Sequence, residues 1–585
     1  LCVELPSLGK ALEKALAVGE FVRPSGFKRK SSTTVLPAFL YELFIKLFYK
    51  DGHLRPEACP KDVFALRQLT LMYYKYDDGR AITSEEHSAF IEQFAQRDND
   101  VISREDLLQH GELLEHMTNI VADLLPDEPF DSSPSLSDGA TADSFGYFDK
   151  RNHFRNIPAL LDYIPRDLLF SNKRMFEIWK EKDLSPITVH SKVTTVPKDS
   201  RGPRIICMEP HERMYVQQGI MKLLYRHIER EPLTRGRINF TDQSINNRLA
   251  QLGSLDGSYV TVDLKEASDM VSWELVKQVF PDDWVAALSA TRSPTVALSP
   301  DTIHTFKKFA PMGSALCFPI EAIIFWACCR VSCDEVYVYG DDIIMPSCSY
   351  ERALKDLEKI GLIINKDKTL TTGFFRESCG GDFFKGADVG IIRIKTLGFE
   401  SMIAYANAFR DRIGLDLSDK IIKDLESDHN DVVFRAPLSE KDNPLPYVYY
   451  TNFCSSSNVF FKRRWNRDIQ IYEYRHLSYK KVSPSDSYIR ELRQSYKTYE
   501  GSSHELVHKA KHNLLLDDDL AYVRWLATSN DEQPLESYRW TAIERLLGHR
   551  NLLMPKEIVE KPGPLKPRTK FNWVSYSYDI ASTEV

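Results

Sequence analysis

Two adjacent carboxylates, Asp341 and Asp342, interrupt an otherwise apolar run, Val336-Tyr337-Val338-Tyr339-Gly340-Asp341-Asp342-Ile343-Ile344-Met345. The flanks favour strands and Gly-Asp suits a two-residue turn, so the run reads as a β-hairpin with the acids at its tip. Charge this dense needs a reason, and holding divalent metal ions is one. A Gly-Asp-Asp triplet arises by chance about 0.1 times in a chain this long at average residue usage. Taken alone, therefore, it is explained as well by a solvated turn.

A second carboxylate stands in a matching context. Ser258-Tyr259-Val260-Thr261-Val262 reads as a strand that delivers Asp263 at its C-terminal end. Ser268 or Asp269 can cap a helix after it, whose apolar positions are Met270, Val271, Leu275, Val276, Val279 and Phe280. If Asp263 converges with the 341/342 pair, three carboxylates can surround two Mg²⁺ ions about 3.5–4 Å apart. That arrangement serves in-line phosphoryl displacement, and so nucleotidyl transfer. An unrelated helix cap remains the plain alternative for Asp263.

Between the two motifs, Pro311-Met312-Gly313-Ser314-Ala315 forms a small-residue loop before an apolar helix that Pro319 can open at its first position. Gly313 would allow a ligand to approach the backbone, and the Ser314 hydroxyl would bond a sugar or phosphate. After the hairpin, Ser349 can cap a helix with Ala353, Leu354, Leu357 and Ile360 on one face and Gly361 as its stop. Leu362-Ile363-Ile364 then reads as a strand, which completes the order of a split βαβ sheet. Lys368, in Asn365-Lys366-Asp367-Lys368-Thr369, is either a surface lysine or a proton donor to leaving pyrophosphate. Upstream, Lys192 to Cys207 reads as two strands joined by a basic connection in which Lys198, Arg201 and Arg204 could neutralise a triphosphate, unless they are only a solvated face.

Taken in order, these motifs resemble those of viral RNA-dependent RNA polymerases, and most closely the replicase catalytic (beta) subunits of single-stranded RNA bacteriophages, the levivirus group. Three strings carry the resemblance: Thr195-Val196-Pro197-Lys198, Asp242-Gln243-Ser244-Ile245-Asn246-Asn247-Arg248-Leu249-Ala250-Gln251 and Phe375-Arg376-Glu377-Ser378-Cys379-Gly380. It is strong from about Thr194 to Val389. Leu1-Cys2-Val3-Glu4-Leu5-Pro6 is similar to the start of such replicases, implying that a few leading residues, the initiator Met among them, precede it. One departure is visible. The group reads Met-Gly-Asn-Gly then Thr-Phe-Glu-Leu-Glu, whereas here Gly313-Ser314-Ala315-Leu316-Cys317-Phe318-Pro319-Ile320-Glu321 follows Met312, and a hydroxyl offers fewer bonds to the sugar than an amide.

The resemblance implies an α+β right-hand polymerase of fingers, palm and thumb, with a split βαβ palm sheet carrying the catalytic carboxylates. Residues 1–249 would form an N-terminal region and fingers, 250–400 the palm, and 401–585 a thumb and C-terminal region. Asp263, Asp341 and Asp342, with the backbone carbonyl of Leu264, would bind two Mg²⁺ ions, for which Mn²⁺ can substitute. Lys368 would be the general acid. Asp269 with Ser314 would sense the ribose 2′-hydroxyl beside Gly313, and Lys198, Arg201 and Arg204 would hold the ribonucleoside triphosphate. The implied partners are template and product RNA, host elongation factors Tu and Ts and a ribosomal protein, and the implied location is the bacterial host cytoplasm. Initiation without a primer is also implied. A reverse transcriptase is the nearest rival, but it would carry a bulky aromatic at position 269; a non-catalytic RNA-binding scaffold is the rival from another class.

Composition limits the remaining choices. With 76 cations against 83 anions the net charge is −7, so RNA cannot be held by overall attraction and basic surface must be local. From Phe460 to Lys481 there are seven Lys/Arg, six aromatics and two acids. Lys462, Arg463, Arg464, Trp465 and Arg467 within it suit a single-stranded RNA track, although a strand or helix with its aromatics in a core fits equally. The ten cysteines show no Cys-x-x-Cys pair, which points to free thiols. The most apolar stretch, Ala315 to Val331, contains Pro319, Glu321 and Arg330 and is short for a membrane span.

Overall fold

The computed structural model describes residues 4–76, 83–129, 134–135, 137, 139–143, 157–161, 188–199 and 202–429, with strand segments at 435–437, 448–450, 463–466, 471–480 and 568–575. Helices and strands are mixed throughout. Two compact units divide the chain, Leu1–Lys395 and Thr396–Val585. Residues 1–249 and nearly all of 250–400 therefore share the first unit.

The first unit contains β1 (Ser191–Asp199), β2 (Gly202–Met208), β3 (Tyr259–Val262), β4 (Thr295–Ser299), β5 (Thr302–Thr305), β6 (Tyr337–Tyr339), β7 (Asp342–Pro346), β8 (Phe375–Ser378), β9 (Gly381–Phe384) and β10 (Ala387–Asp388). One sheet runs in the order β2-β1-β4-β5, one β3-β7-β6 and one β10-β9-β8. The basic segment is an antiparallel pair, with Lys192 opposite Met208 and Val196 opposite Arg204. In the second sheet β3 and β6 both run antiparallel to β7, which places Val262 opposite Ile343 and Tyr339 opposite Asp342. Gly340 and Asp341 alone make the turn. Gly340 has φ 60°, and a Cβ there would lie 2.2 Å from the Phe318 ring, so both conformation and space exclude a side chain.

Three helices fix this sheet. Cys317–Ser332 is buried at every residue from Pro319 to Cys329, and the Trp326 indole donates to the Val336 carbonyl at 3.1 Å. This helix starts two residues before Pro319. The proline is thus the third helical residue, still within the first turn where its missing N–H costs no helical bond. Ser244–Asp256 packs against β3, where a Cβ on Gly253 would approach the Tyr259 carbonyl oxygen to 2.4 Å. Tyr350–Lys359 ends before Gly361, which has φ 89°.

Several local expectations fail for identifiable reasons. Ser349 stands at the start of its helix without capping it, because its hydroxyl faces the Cys333 sulfur and the Pro346 carbonyl. Ser268 and Asp269 do not cap either: they lie inside a short helical turn, Ala267–Met270, and Ser272 caps the next helix, Trp273–Val279, by accepting from Leu275 N at 3.0 Å. Leu362-Ile363-Ile364 is not a strand. The segment pairs with the chain just past β3 through a single bridge, Leu264 to Ile364.

Across the first unit a buried ion network ties the N-terminal helix, Glu4–Val18, to β9: Arg67 Nη2 lies 2.7 Å from Glu13 and 2.8 Å from Asp382. In the second unit, Phe399–Arg412 and Leu415–His429 pack through Ile403, Ala406, Ile422 and Leu425. Its strands are β11 (Arg435–Pro437) parallel to β12 (Val448–Tyr450), and β13 (Arg463–Asn466), β14 (Ile471–Lys480) and β15 (Arg568–Ser575) in an antiparallel sheet. Arg463, Arg464 and Trp465 are strand residues of β13; Lys462 and Arg467 lie outside the described residues. The eight described cysteines are unpaired. Among the described residues, no helix is long and apolar enough to cross a membrane.

Replacing a helical glycine by alanine ordinarily stabilises a protein by about 1 kcal/mol. For Gly253→Ala the contact with Tyr259 should reverse that sign and cost about 1–3 kcal/mol, as overpacking does. Chemical denaturation of the variant checks this, and a gain in stability would show that the helix and β3 are not in contact.

Candidate active site

The register of β3 on β7 brings the acids together. Continuing one position past the Val262–Ile343 pair sets Asp263 against Asp342, with Asp341 next to it at the turn. A cavity of about 170 Å³ opens there, lined by Val262, Asp263, Asp341, Asp342, Lys368, Glu377, Cys379 and Gly380. Asp263 and Asp341, 78 residues apart in the chain, thus meet at one place.

Asp263 and Asp342 are held by different groups. Asp263 Oδ1 faces the Lys368 ammonium at 3.3 Å, while its Oδ2 accepts from the Asn365 amide. Its backbone is bound as well, by Asn365 N to the carbonyl at 2.9 Å and by Thr369 Oγ1. Asp342 Oδ2 accepts from the backbone N–H of Cys379 at 3.1 Å, and its carbonyl accepts from the fully buried Asn246 at 3.1 Å. The segment containing Cys379 is fixed to β3 by the buried Arg376, whose Nε donates to the Tyr259 carbonyl at 2.8 Å. Asn246, Asn365, Thr369, Glu377 and Cys379 all fall in strings already singled out, yet nothing in residue type or spacing distinguished them from their neighbours.

Enclosure and neighbouring charge raise the proton affinity of Asp341 and Asp342. Burial pushes the Asp342 carboxyl up to about 6, with the Asp341 charge adding to the effect and the Cys379 N–H opposing it. Asp341 is also raised, by burial and by Asp263, against the pull of Lys368 and Arg204. Burial raises Glu377 to about 7, helped by Asp382 and Glu13. Burial would lower Lys368, but Asp263, Glu377 and Asp341 outweigh it and hold the ammonium above its ordinary value. The donors are hard oxygens concentrated without equivalent cationic cover, which is the chemistry that Mg²⁺ or Mn²⁺ takes. Among the described residues, the only His/Cys/Asp/Glu trio whose atoms close within 4.8 Å of one another is Asp143, His211 and Glu212, where His211 Nδ1 already lies 3.1 and 3.2 Å from the two acids.

The remaining expected residues are distributed around this centre. Arg204 is exposed on β2 and near enough to influence Asp341. Lys198 belongs to β1, and Arg201 lies outside the described residues. Asp269 receives a 2.9 Å bond from the buried ammonium of Lys308, a residue the sequence reading passed over. Ser314 does not line the cavity: its hydroxyl donates to Gln217 at 3.1 Å and accepts from Leu316 N at 3.3 Å. Gly313 is explained by the protein's own packing. At φ 115° its Cβ would lie 2.2 Å from the Cys207 carbonyl oxygen, and Met312 O accepts from Cys207 N at 2.8 Å. Glu321 is buried, one carboxyl oxygen lacks a hydrogen-bond partner among the described residues, and burial near Asp341 and Asp269 raises it well above the usual range.

A sequence profile of the RNA replicase beta-chain family matches residues 167–532. The chain belongs to that family. It is 38% identical over 213 residues to the RNA-directed RNA polymerase subunit beta of Escherichia virus Qbeta, covering 35% of each chain. It is 38% identical over 215 residues to the RNA-directed RNA polymerase beta chain of Escherichia phage MS2, covering 36% of this chain and 38% of that one. The corresponding protein of Enterobacteria phage fr is 39% identical over 209 residues. The chain thus spans about 35% of the length of the Qbeta relative. A crystal structure of the RNA-dependent RNA polymerase of a human picorbirnavirus aligns over 56% of this chain and 82% of its own, at 11% identity and TM-score 0.30, too loosely to define a fold. The replicase resemblance seen in the motifs is therefore a family relationship.

A carboxyl raised by folding binds more protons in the native than in the unfolded state, so its contribution to stability falls as pH rises through that interval. For Asp342 the interval runs from 3.8 to about 6. Asp342→Asn keeps an acceptor for Cys379 and removes the charge. In chelator, it should raise Tm at pH 8 by about 1–3 °C, with the difference closing towards pH 4. Thermal scans at both pH values test this; an Asn variant no more stable at pH 8 contradicts it.

Proposed function

We propose that this chain is an RNA-directed RNA polymerase that copies a positive-strand RNA phage genome from ribonucleoside triphosphates, initiating without a primer. The observation that carries this is the meeting of Asp263, Asp341 and Asp342 with Lys368 around one small cavity. The sheet β3-β7-β6 would be the core of a split βαβ palm in a right-hand polymerase, with fingers before it and a thumb after it. Asp263, Asp341, Asp342 and the Leu264 carbonyl would hold two Mg²⁺ ions, or Mn²⁺ in their place. When bound, such ions polarise the phosphoryl group and neutralise charge on the attacking and leaving oxygens.

The chain's own groups supply the rest. Asn365, Thr369 and the Cys379 N–H keep the carboxylates oriented, so little reorganisation is needed as charge develops. Arg204, with Lys198 and Arg201, attracts the triphosphate. Lys368, kept protonated by the surrounding acids, donates a proton to the departing pyrophosphate. Asp269 accepts a hydrogen bond from the ribose 2′-hydroxyl, where a polymerase selecting deoxyribose would need bulk instead. Arg463, Arg464 and Trp465, with Lys462 and Arg467, are assigned to single-stranded RNA. Host elongation factors Tu and Ts, a ribosomal protein and a bacterial cytoplasm belong to the same reading.

Labelled ribonucleotides and deoxyribonucleotides offered on an RNA template with Mg²⁺ test the proposal. The wild-type chain, alone or with the elongation factors, should make RNA, and Asp341→Asn should lower incorporation ~10³-fold or more. Deoxynucleotide preference would make it a reverse transcriptase, and silence with the factors present would favour a scaffold. Lys368→Ala should reduce kcat about 10²-fold or more with a smaller change in KM, and Lys368→Arg should recover part of the loss. Equal rates in Lys368→Ala and wild type would remove the lysine from the chemistry.

A further inference from the structure

Lys308 is unusual in being wholly buried, with its ammonium directed at a single carboxylate. Its side chain is 0% exposed, and Nζ lies 2.9 Å from Asp269 Oδ1, its only hydrogen bond among the described residues. The rings of Phe94 and Phe306 cover it, their centroids 4.1 and 5.4 Å from Nζ. Withdrawing an ammonium from water is expensive unless a paired charge and good geometry offset it, and a surface lysine could neutralise Asp269 without that cost. What burial adds is a fixed position.

The backbone beneath Lys308 is fixed too. Asp98, itself buried, accepts from Lys307 N at 2.7 Å and Lys308 N at 3.0 Å. Arg292 donates to the carbonyls of Lys308 at 2.9 Å and Phe309 at 2.7 Å. Trp273 N and Phe309 N complete a short ladder linking residues 307–309 to 271–273, just beyond the turn that carries Asp269. Asp269 is therefore gripped from a rigid base, while its side chain remains 21% exposed and its second oxygen has no protein hydrogen bond among the described residues.

We propose that Lys308 is a positioning residue for sugar selection: it engages one oxygen of Asp269 and so presents the other, in one orientation, to the 2′-hydroxyl of the incoming ribonucleotide. The assignment rests on the polymerase reading above. A tie serving only stability would support ribo- and deoxyribonucleotides alike. A positioning tie acts on their ratio, because only the ribonucleotide carries the hydroxyl that Asp269 receives.

The test uses the full chain with the same RNA template, Mg²⁺ and host factors, reading kcat/KM for a ribonucleotide and its 2′-deoxy counterpart. Lys308→Met keeps the volume and removes the charge. Its ribonucleotide kcat/KM should fall more than its deoxynucleotide value, so that the ratio drops at least tenfold, chiefly through ribonucleotide KM. Lys308→Arg should restore part of the ratio. Phe94→Leu, which removes one covering ring and leaves the charge, should shift the ratio a few-fold in the same direction and serves if Lys308→Met does not fold. An unchanged ratio in a folded Lys308→Met, or in Phe94→Leu if that is the variant that folds, overturns the proposal while leaving the polymerase reading intact. A wild type that incorporates neither nucleotide overturns both.

Discussion

Mutual repulsion among Asp263, Asp341 and Asp342 sets the terms for the structure around them. Three like charges converge in a partly enclosed space, and the antiparallel register of β3 on β7 gives them no freedom to separate. The surroundings counter this with oriented dipoles and a single nearby ammonium rather than with matching charge: the Cys379 N–H, the Asn365 amide and Lys368. Burial, with the Asp341 charge adding to it, raises Asp342 to about 6. Holding these acids together is a local cost in stability, of the kind that functional sites carry.

The same reasoning separates what the sequence could disclose from what it could not. The hairpin was legible because strand-forming flanks, a two-residue turn and the glycine requirement at position 340 all act within ten residues. Asp263 was legible for the same reason, as the end of a short apolar strand. The caps were not, since Ser349, Ser268 and Ser272 are equally able to cap, and the choice among them depends on where the preceding backbone leaves each hydroxyl. Leu362-Ile363-Ile364 has strand composition but makes only one bridge, to Leu264 just past β3, a matter of tertiary placement that composition does not encode.

The site's supporting residues were the least legible. Lys308 sits in Phe306-Lys307-Lys308-Phe309, where nothing local tells which lysine turns inward, and its partners Asp98 and Phe94 are more than 200 residues away. Gly313 carries a demand invisible in the sequence: a glycine beside a binding loop suggests ligand approach, and the backbone of Cys207 independently requires a glycine there. Such long-range demands leave no periodic trace. The three family strings carried information that local physics did not, because Asn246 and Cys379 lie within them and both bind Asp342.

The contact between Gly313 and Cys207 also has a mechanical meaning. β2 ends at Met208 and carries Arg204 a few residues earlier, while the loop at Gly313 leads directly into the buried helix Cys317–Ser332 that packs under the acidic hairpin. With Met312 O bonded to Cys207 N, and no side chain between the two backbones to act as a cushion, the strand and the loop form one stiff linkage. The basic hairpin and the helix beneath the acidic turn are thus joined backbone to backbone.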